Sequence, residues 1–381
     1  MHRNRSAYRR EAKPSAHSFV DRCRSDGTPK PRLVSAVRTG TGRYFIDAAH
    51  IPETRQDSGF SAQPPVIALT SLRFVVVGAG RLGSSLALAL RTAGAQLEGF
   101  TARTPEGRAR AESWLGGRAA AHLKELASCS PHLYIVAVPD DALPGVAHEL
   151  GGELRRGTAP SVPVVAHTSG AISVAILSPC EQAGAATLAF HPLQTFIDPI
   201  GAWTRFAGAA IAITPSVMEE GSAALAFGLA LAGGLRARPF LLADDKRILY
   251  HAAATFACNY LVTLESHAEQ LFVKAGLPRE EALSLFLPLV KTTLDNIAVE
   301  GTVDALTGPL SRGDIGTVAG HVRALEVDAP HLIPLYRLLG LATLDLIRAR
   351  SEISPETIAE LAGLLTASNQ SPELESDRQG T

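Results

Sequence analysis

Gly78, Gly80 and Gly83 stand at the spacing G-x-G-x-x-G, directly after the β-branched run Phe74–Val77 and before an Ala/Leu-rich stretch that reaches Leu90. Each glycine has a separate use there. The first permits a tight turn, the second lets a pyrophosphate approach the backbone, and the third lets helix and strand pack closely. The unpaired amides at the positive end of the following helix attract phosphate. The spacing predicts a dinucleotide site in which Gly78, Ala79, Gly80, Arg81, Leu82 and Gly83 cradle the pyrophosphate.

The end of the next apolar run selects among dinucleotides. An Asp or Glu about 20 residues beyond the glycines accepts hydrogen bonds from a ribose 2′-hydroxyl. This chain instead has Thr101-Ala102-Arg103-Thr104. A guanidinium and a hydroxyl at Arg103 and Thr104 suit a 2′-phosphate, so the cofactor expected is NADP(H). Further on, Val138-Pro139 closes a strand on the same edge and would run under the nicotinamide ribose, while Asp140 and Asp141 read as the start of a helix.

Two loops should open on that edge, His167-Thr168-Ser169-Gly170 and His191-Pro192-Leu193-Gln194. His167 and Ser169 are candidate cofactor contacts, and His191 and Gln194 candidate contacts to a substrate. In a later helical stretch His251, Thr255, Cys258 and Asn259 recur at one-face spacing, with Lys246 shortly before. A polar stripe in an Ala/Leu-rich helix needs a partner or must line a cleft. An imidazole within reach of a carbonyl or imine is a candidate general acid, which puts His251 first, with His191, Asn259 and Lys246 beside it. Arg312, in the segment Ala305–Thr317, either holds a substrate carboxylate or pairs with Asp314 as a lock. The histidines show no metal-ligand spacing, so no metal is expected.

The elements that must position these residues follow from periodicity. Continuous apolar runs at Phe74–Val77, Gln96–Thr101, Leu133–Val138, Val162–His167, Ala186–His191, Ala209–Thr214 and Leu235–Leu241 alternate with helical stretches. That pattern predicts an α/β fold with a Rossmann-type, doubly wound, mostly parallel sheet. From Asp244 to Gly276 the sequence reads as one long helix, followed by helices near 280–298, 314–327, 331–350 and 355–366. An all-α C-terminal domain is therefore expected after the sheet, with the substrate cleft between them.

The expected boundaries are a disordered extension over 1–66, an NADP-binding domain over 67–243, a helical substrate and dimerisation domain over 244–366 and a disordered tail over 367–381. The extension holds twelve Lys/Arg against six Asp/Glu and has no sustained apolar periodicity. Over the whole chain 36 basic and 37 acidic residues balance, so no nucleic-acid or anionic-membrane partner is expected. Four scattered cysteines suit a reducing cytoplasm. Ala223–Leu235, the most apolar stretch, is shorter than the ~18 residues of a membrane span.

Taken together, VVVGAGRLGSSLA, VAVPDDAL, HTSGA, FHPLQTF, DKRILYHAAATFACNYL and ALTGPLSRGDIGTVAGH, in that order over about residues 70–350, resemble a bacterial family. Its members join a Rossmann-like domain to a helical C-terminal domain of unknown function 2520. The family is similar to pyrroline-5-carboxylate reductase, ketopantoate reductase and the β-hydroxyacid dehydrogenases. The resemblance implies hydride transfer from a nicotinamide to a C=O or C=N carbon, and homodimers joined through the helical domain. The β-hydroxyacid relatives carry a catalytic Lys, with an Asn one turn later, on the first long helix after the sheet. Here that region offers His251 and Thr255, with Lys246 earlier and Asn259 later.

The leading expectation is an NADPH-dependent reductase of a small 2-oxo acid or imine, ketopantoate foremost. His251 would give the proton, His191, Gln194 and Asn259 would orient the substrate, and Thr255 and Arg312 would add contacts. The alternative is a non-catalytic NADP-binding protein that senses redox state or scaffolds another enzyme.

Overall fold

The structure, a computed structural model, describes residues 69–126, 129–156, 162–219, 222–350 and 352–366. The extension and tail expected at 1–66 and 367–381 lie outside the described residues.

Eight strands form one sheet in the order β3-β2-β1-β4-β5-β6-β7-β8. They are β1 (Arg73–Val77), β2 (Gln96–Thr101), β3 (Ala119–Ala120), β4 (Leu133–Val136), β5 (Val164–His167), β6 (Ala186–Pro192), β7 (Ala210–Pro215) and β8 (Arg238–Leu241). All neighbours pair in parallel except β6 and β7. The order reverses between β1 and β4, the place where open α/β sheets bind ligands at the carboxyl ends of their strands.

Both faces of the inner strands are dry. Phe74, Val76, Leu133 and Ile135 pack on one side with α1 (Arg81–Thr92), α2 (Pro105–Leu115) and, after two short elements, α6 (Ala223–Gly234). Val75, Val77, Tyr134 and Val136 pack on the other with α3 (Leu143–Arg156) and α4 (Ser178–Glu181). A short α5 (Pro199–Ala202) leads toward β7. Strands buried on both faces need the unbroken Val/Ile/Leu runs that the sequence shows.

Beyond β8 the chain is helical. The single helix expected over Asp244–Gly276 is instead a 3₁₀ turn at Asp244–Lys246, α7 (Arg247–Ala254), a π turn at Thr255–Asn259 and α8 (Tyr260–Lys274). A π turn admits an extra residue, so side chains beyond it rotate away from the 3.6-residue stripe. Then come α9 (Arg279–Asp304), α10 (Pro309–Arg312), α11 (Ile315–Asp328), α12 (Ile333–Arg350) and α13 (Pro355–Thr366). Ser354 caps the last, accepting from the Thr357 amide at 3.2 Å as its sequence position predicts. Val318, Leu344, Ile347 and Leu361 give α11–α13 their own core.

Candidate functional site

The glycine turn is built as tightly as its spacing requires. Gly78 has φ +95°, and a methyl on it would come within 2.6 Å of the Ala137 carbonyl oxygen beyond β4. At Gly83 a methyl would lie 2.4 Å from the Gly78 carbonyl oxygen. Gly80 differs: no heavy atom lies within 4 Å of where its Cβ would be. That opening stands at the N-cap of α1, whose first turn carries no acidic residue. The amides of Arg81, Leu82 and Gly83 precede the first helical hydrogen bond, which Ser84 N makes to the Gly80 carbonyl at 2.9 Å. Open space, free donors and no repelling carboxylate fit a dinucleotide pyrophosphate.

At the end of β2, Arg103 is exposed and Thr104 caps α2, its hydroxyl oxygen accepting from Gly107 N at 3.0 Å. The Thr104 O–H remains free to donate. Glu98, the acid earlier in β2, lies 3.9 Å from Arg73 and faces away from this role. Val138 packs against Gly78, and Pro139 leads into a 3₁₀ turn over Asp140–Ala142, so the two aspartates open the helical segment that becomes α3.

Farther along the carboxyl edge, β5 and β6 end in His167 and His191. His167 pairs with Ala189, so His191, two residues on, shares its sheet face. The side chain of Thr214, which pairs with Ala189 from β7, lies on that face as well. Arg247, the first residue of α7, is fully buried against it. Its Nε donates to the Ile172 carbonyl at 2.6 Å, one terminal nitrogen to Thr214 Oγ1 at 3.0 Å and the other to the Ser169 carbonyl. Asp244 adds to this clamp, accepting from the Ser173 hydroxyl and from Val174 N at 2.9 Å. The loop after β5 is thus fastened to the start of α7.

That fastening brings two imidazoles together at Gly170, with Tyr250 on the far side of one of them. A methyl on Gly170 would come within 2.5 Å of His251 Nδ1 and 2.8 Å of His191 Nε2. The His191 and His251 rings meet edge to face at 5.9 Å, and His191 Nδ1 lies 2.8 Å from the Tyr250 hydroxyl. Burial, with help from His251 and Arg247, pushes His191 down to about 4. Burial, then Arg247 and His191, pushes His167 down to about 3. Both imidazoles are neutral at physiological pH, while burial holds Tyr250 up at about 12 and keeps its phenol protonated.

The other candidates take different places. Ser169 shapes its loop, its hydroxyl accepting from Ala171 N and Ile172 N at 3.2 and 3.0 Å. His167 is wholly buried with no hydrogen-bond partner on either ring nitrogen. Gln194 is exposed and accepts from Thr195 N at 2.8 Å. Lys246 is exposed and pairs with Asp245 at 2.8 Å. Thr255 donates to the His251 carbonyl at 3.1 Å, and Asn259 lies exposed at the end of the π turn. Arg312 pairs with Asp314 at 2.9 Å, which gives the lock its geometry. Gly170, Asp244, Arg247 and Tyr250 are site residues that the sequence reading passed over. Each acts through a partner far away in the chain, and the one local signal was the charged run Asp244–Arg247 ahead of an apolar helix.

The fold and glycine turn define a Rossmann-type dinucleotide-binding protein with a helical C-terminal region. Residues 61–192 match the Rossmann-like domain model, and residues 214–343 match that of domain of unknown function 2520. The chain therefore pairs these two domains in the order its motifs resemble. No curated protein matches the chain. Among solved structures, a Bacteroides fragilis protein provisionally named an NADP oxidoreductase is 27% identical, with TM-score 0.60, covering 72% of this chain and 98% of its own. A Thermotoga maritima protein is 22% identical, with TM-score 0.54, covering 73% and 99%. A pyrroline-5-carboxylate reductase from Streptococcus pyogenes is 16% identical, with TM-score 0.49, covering 77% and 99%.

Proposed function

We propose that this protein is an NADP(H)-dependent oxidoreductase that reduces a small carbonyl or imine compound, with 2-oxo acids and ketopantoate first among the substrates to test. The observation that carries this reading is the meeting of His191 and His251 over Gly170, on the same strand-end edge as the glycine turn. The name of the 27% identical Bacteroides protein supports it. A bound reduced nicotinamide supplies the hydride. The chain's own residues do the rest. Gly78 to Gly83 hold the pyrophosphate, and Arg103 and Thr104 hold the 2′-phosphate. Neutral His191 orients the substrate oxygen or nitrogen, and His251, exposed and turned toward the same point, delivers its proton. The free thiols of Cys129, Cys180 and Cys258 suit a reducing, cytoplasmic setting.

We also propose a homodimer through the helices after β8. Ile248, Leu249, Phe256, Val262 and Leu289 are exposed there, on a scale that soluble proteins cover with a partner. The segment Arg279–Arg312 is long and apolar enough to cross a membrane by length and composition. Lys291 and Asp295 in its middle, and Pro288 within α9, favour a second copy of the chain over lipid.

The test is NADPH consumption by the full chain on a panel of 2-oxo acids and cyclic imines, ketopantoate included. Turnover of one panel member supports the reading, whereas tight NADPH binding with no turnover favours a sensing or scaffold role. Arg103→Glu should weaken NADPH against NADH by about tenfold or more, the worth of one charge-assisted bond. An unchanged preference would remove Arg103 from the cofactor site.

A further inference from the structure

His191 has two ring nitrogens with different neighbours. Nδ1 meets only the Tyr250 hydroxyl, at 2.8 Å, while Nε2 packs against Gly170 beside His251 Nδ1. A neutral imidazole carries one proton, and the hydrogen bond made by one nitrogen fixes what the other can do. We infer that Tyr250 is a positioning residue: its O–H donates to His191 Nδ1, which locks His191 as the Nε2–H tautomer and leaves a fixed donor on the side of the ring away from Tyr250.

Three observations support that direction. The phenol is protonated, with burial holding it at about 12, so it has a proton to donate. Among the described residues that proton has no other acceptor. The reverse bond, with Nδ1–H donating to the phenol oxygen, would leave the phenol proton no acceptor among the described residues and leave Nε2 with a lone pair in place of a donor. The ring is also held independently of its hydroxyl, edge-on to Phe240 of β8 at 6.0 Å and to His191 at 5.5 Å. Removing the oxygen alone therefore leaves the packing in place.

The donor matters because the carbonyl oxygen or imine nitrogen of a substrate is an acceptor. A donor aimed at it polarises the carbon that receives hydride, and one fixed before binding costs no reorganisation. Tyr250 is a poor proton source at its raised pKa, which leaves proton delivery to His251 and a directing role to the phenol. The identity of the ligand atom rests on the reductase reading, whereas the tautomer does not.

The experiment is a long-range ¹H–¹⁵N spectrum of the imidazoles in uniformly ¹⁵N-labelled full-length protein, with His191 assigned by its absence in His191→Gln. The expected result is a single Nε2–H tautomer in the wild type and a mixture of both tautomers in Tyr250→Phe. NADPH affinity should stay unchanged, and kcat on an accepted substrate should fall about tenfold, the worth of one oriented hydrogen bond. An Nδ1–H tautomer in the wild type overturns the inference, even if Tyr250→Phe fails to fold. An unmixed tautomer in a folded Tyr250→Phe overturns it as well. Failure to find a reducible substrate would sink the reductase reading while leaving the tautomer result standing.

Discussion

Val75 and Val76 of β1 are wholly buried, whereas Phe256 in the π turn and Val299 in α9 are 72% and 79% exposed. The inner strands of the sheet find their apolar partners within their own chain, on both faces. In α8 no residue is buried, and in α9 only Ala282 and Phe286 are. Two regions of similar apolar content thus solve burial differently. One is complete by itself, and the other is complete only when a second surface covers it. The difference teaches where to look for rigidity and where for assembly. The dinucleotide turn and the histidine cluster sit on the finished side, and the first helix of the unfinished side delivers Tyr250 and His251 to them.

The comparison breaks hardest at the glycine turn. Gly83→Val, with 2.4 Å available, should cost about 3 kcal/mol or more by overpacking, read as a lowered denaturation midpoint. Gly80→Ala should leave the midpoint in place and weaken NADPH binding alone, because its Cβ enters open space. Equal effects at the two positions would show that the sheet region is not close-packed there.

A second effect, confined to the sheet, follows pH. His167 and His191 bind protons more weakly folded than unfolded, so the unfolded chain holds more protons below the ordinary value of 6.5. Stability is full above 6.5 and is lost as pH falls toward 4, by up to about 1.4 kcal/mol per pH unit for each imidazole. Denaturant titrations should show this slope, and His167→Gln should reduce it by one proton. A slope untouched by that change would place the titrating groups elsewhere.

The smallest change in stability per chain, and the largest in assembly, is expected at Phe256→Asp. Light scattering should show the wild type as a dimer and the variant as a monomer, with NADPH affinity retained. A wild type that is monomeric at micromolar concentration would remove the second copy from the reading.

The sheet was legible because a strand buried on both faces must be a continuous apolar run. β2 falls at Gln96–Thr101 as its pattern predicts, and the other long strands fall within a few residues of theirs. β3, two residues long, is too short for any periodicity to register. The antiparallel β6–β7 pairing was equally hidden, since strand direction leaves no mark on an apolar run. The π turn was missed because a one-face stripe assumes 3.6 residues per turn throughout. His191 and His251 stood out as polar residues where the pattern called for loop rim and helix face. Tyr250 and Arg247 did not, because their partners lie 59 and 33 to 78 residues away and only the folded chain brings them close.

The clamp formed by Asp244 and Arg247 has a mechanical consequence. Two donors of one guanidinium and both oxygens of one carboxylate bind the loop after β5 to the root of α7, and the third donor ties that root to Thr214 of β7. Gly170, Tyr250 and His251 consequently travel as one piece. Any swing of the later helices that admits or releases a ligand must pivot beyond Ala254, and the π turn at Thr255–Asn259, with its looser hydrogen-bond ladder, is the natural elbow. Bending at that turn would leave Gly170, Tyr250 and His251 aligned.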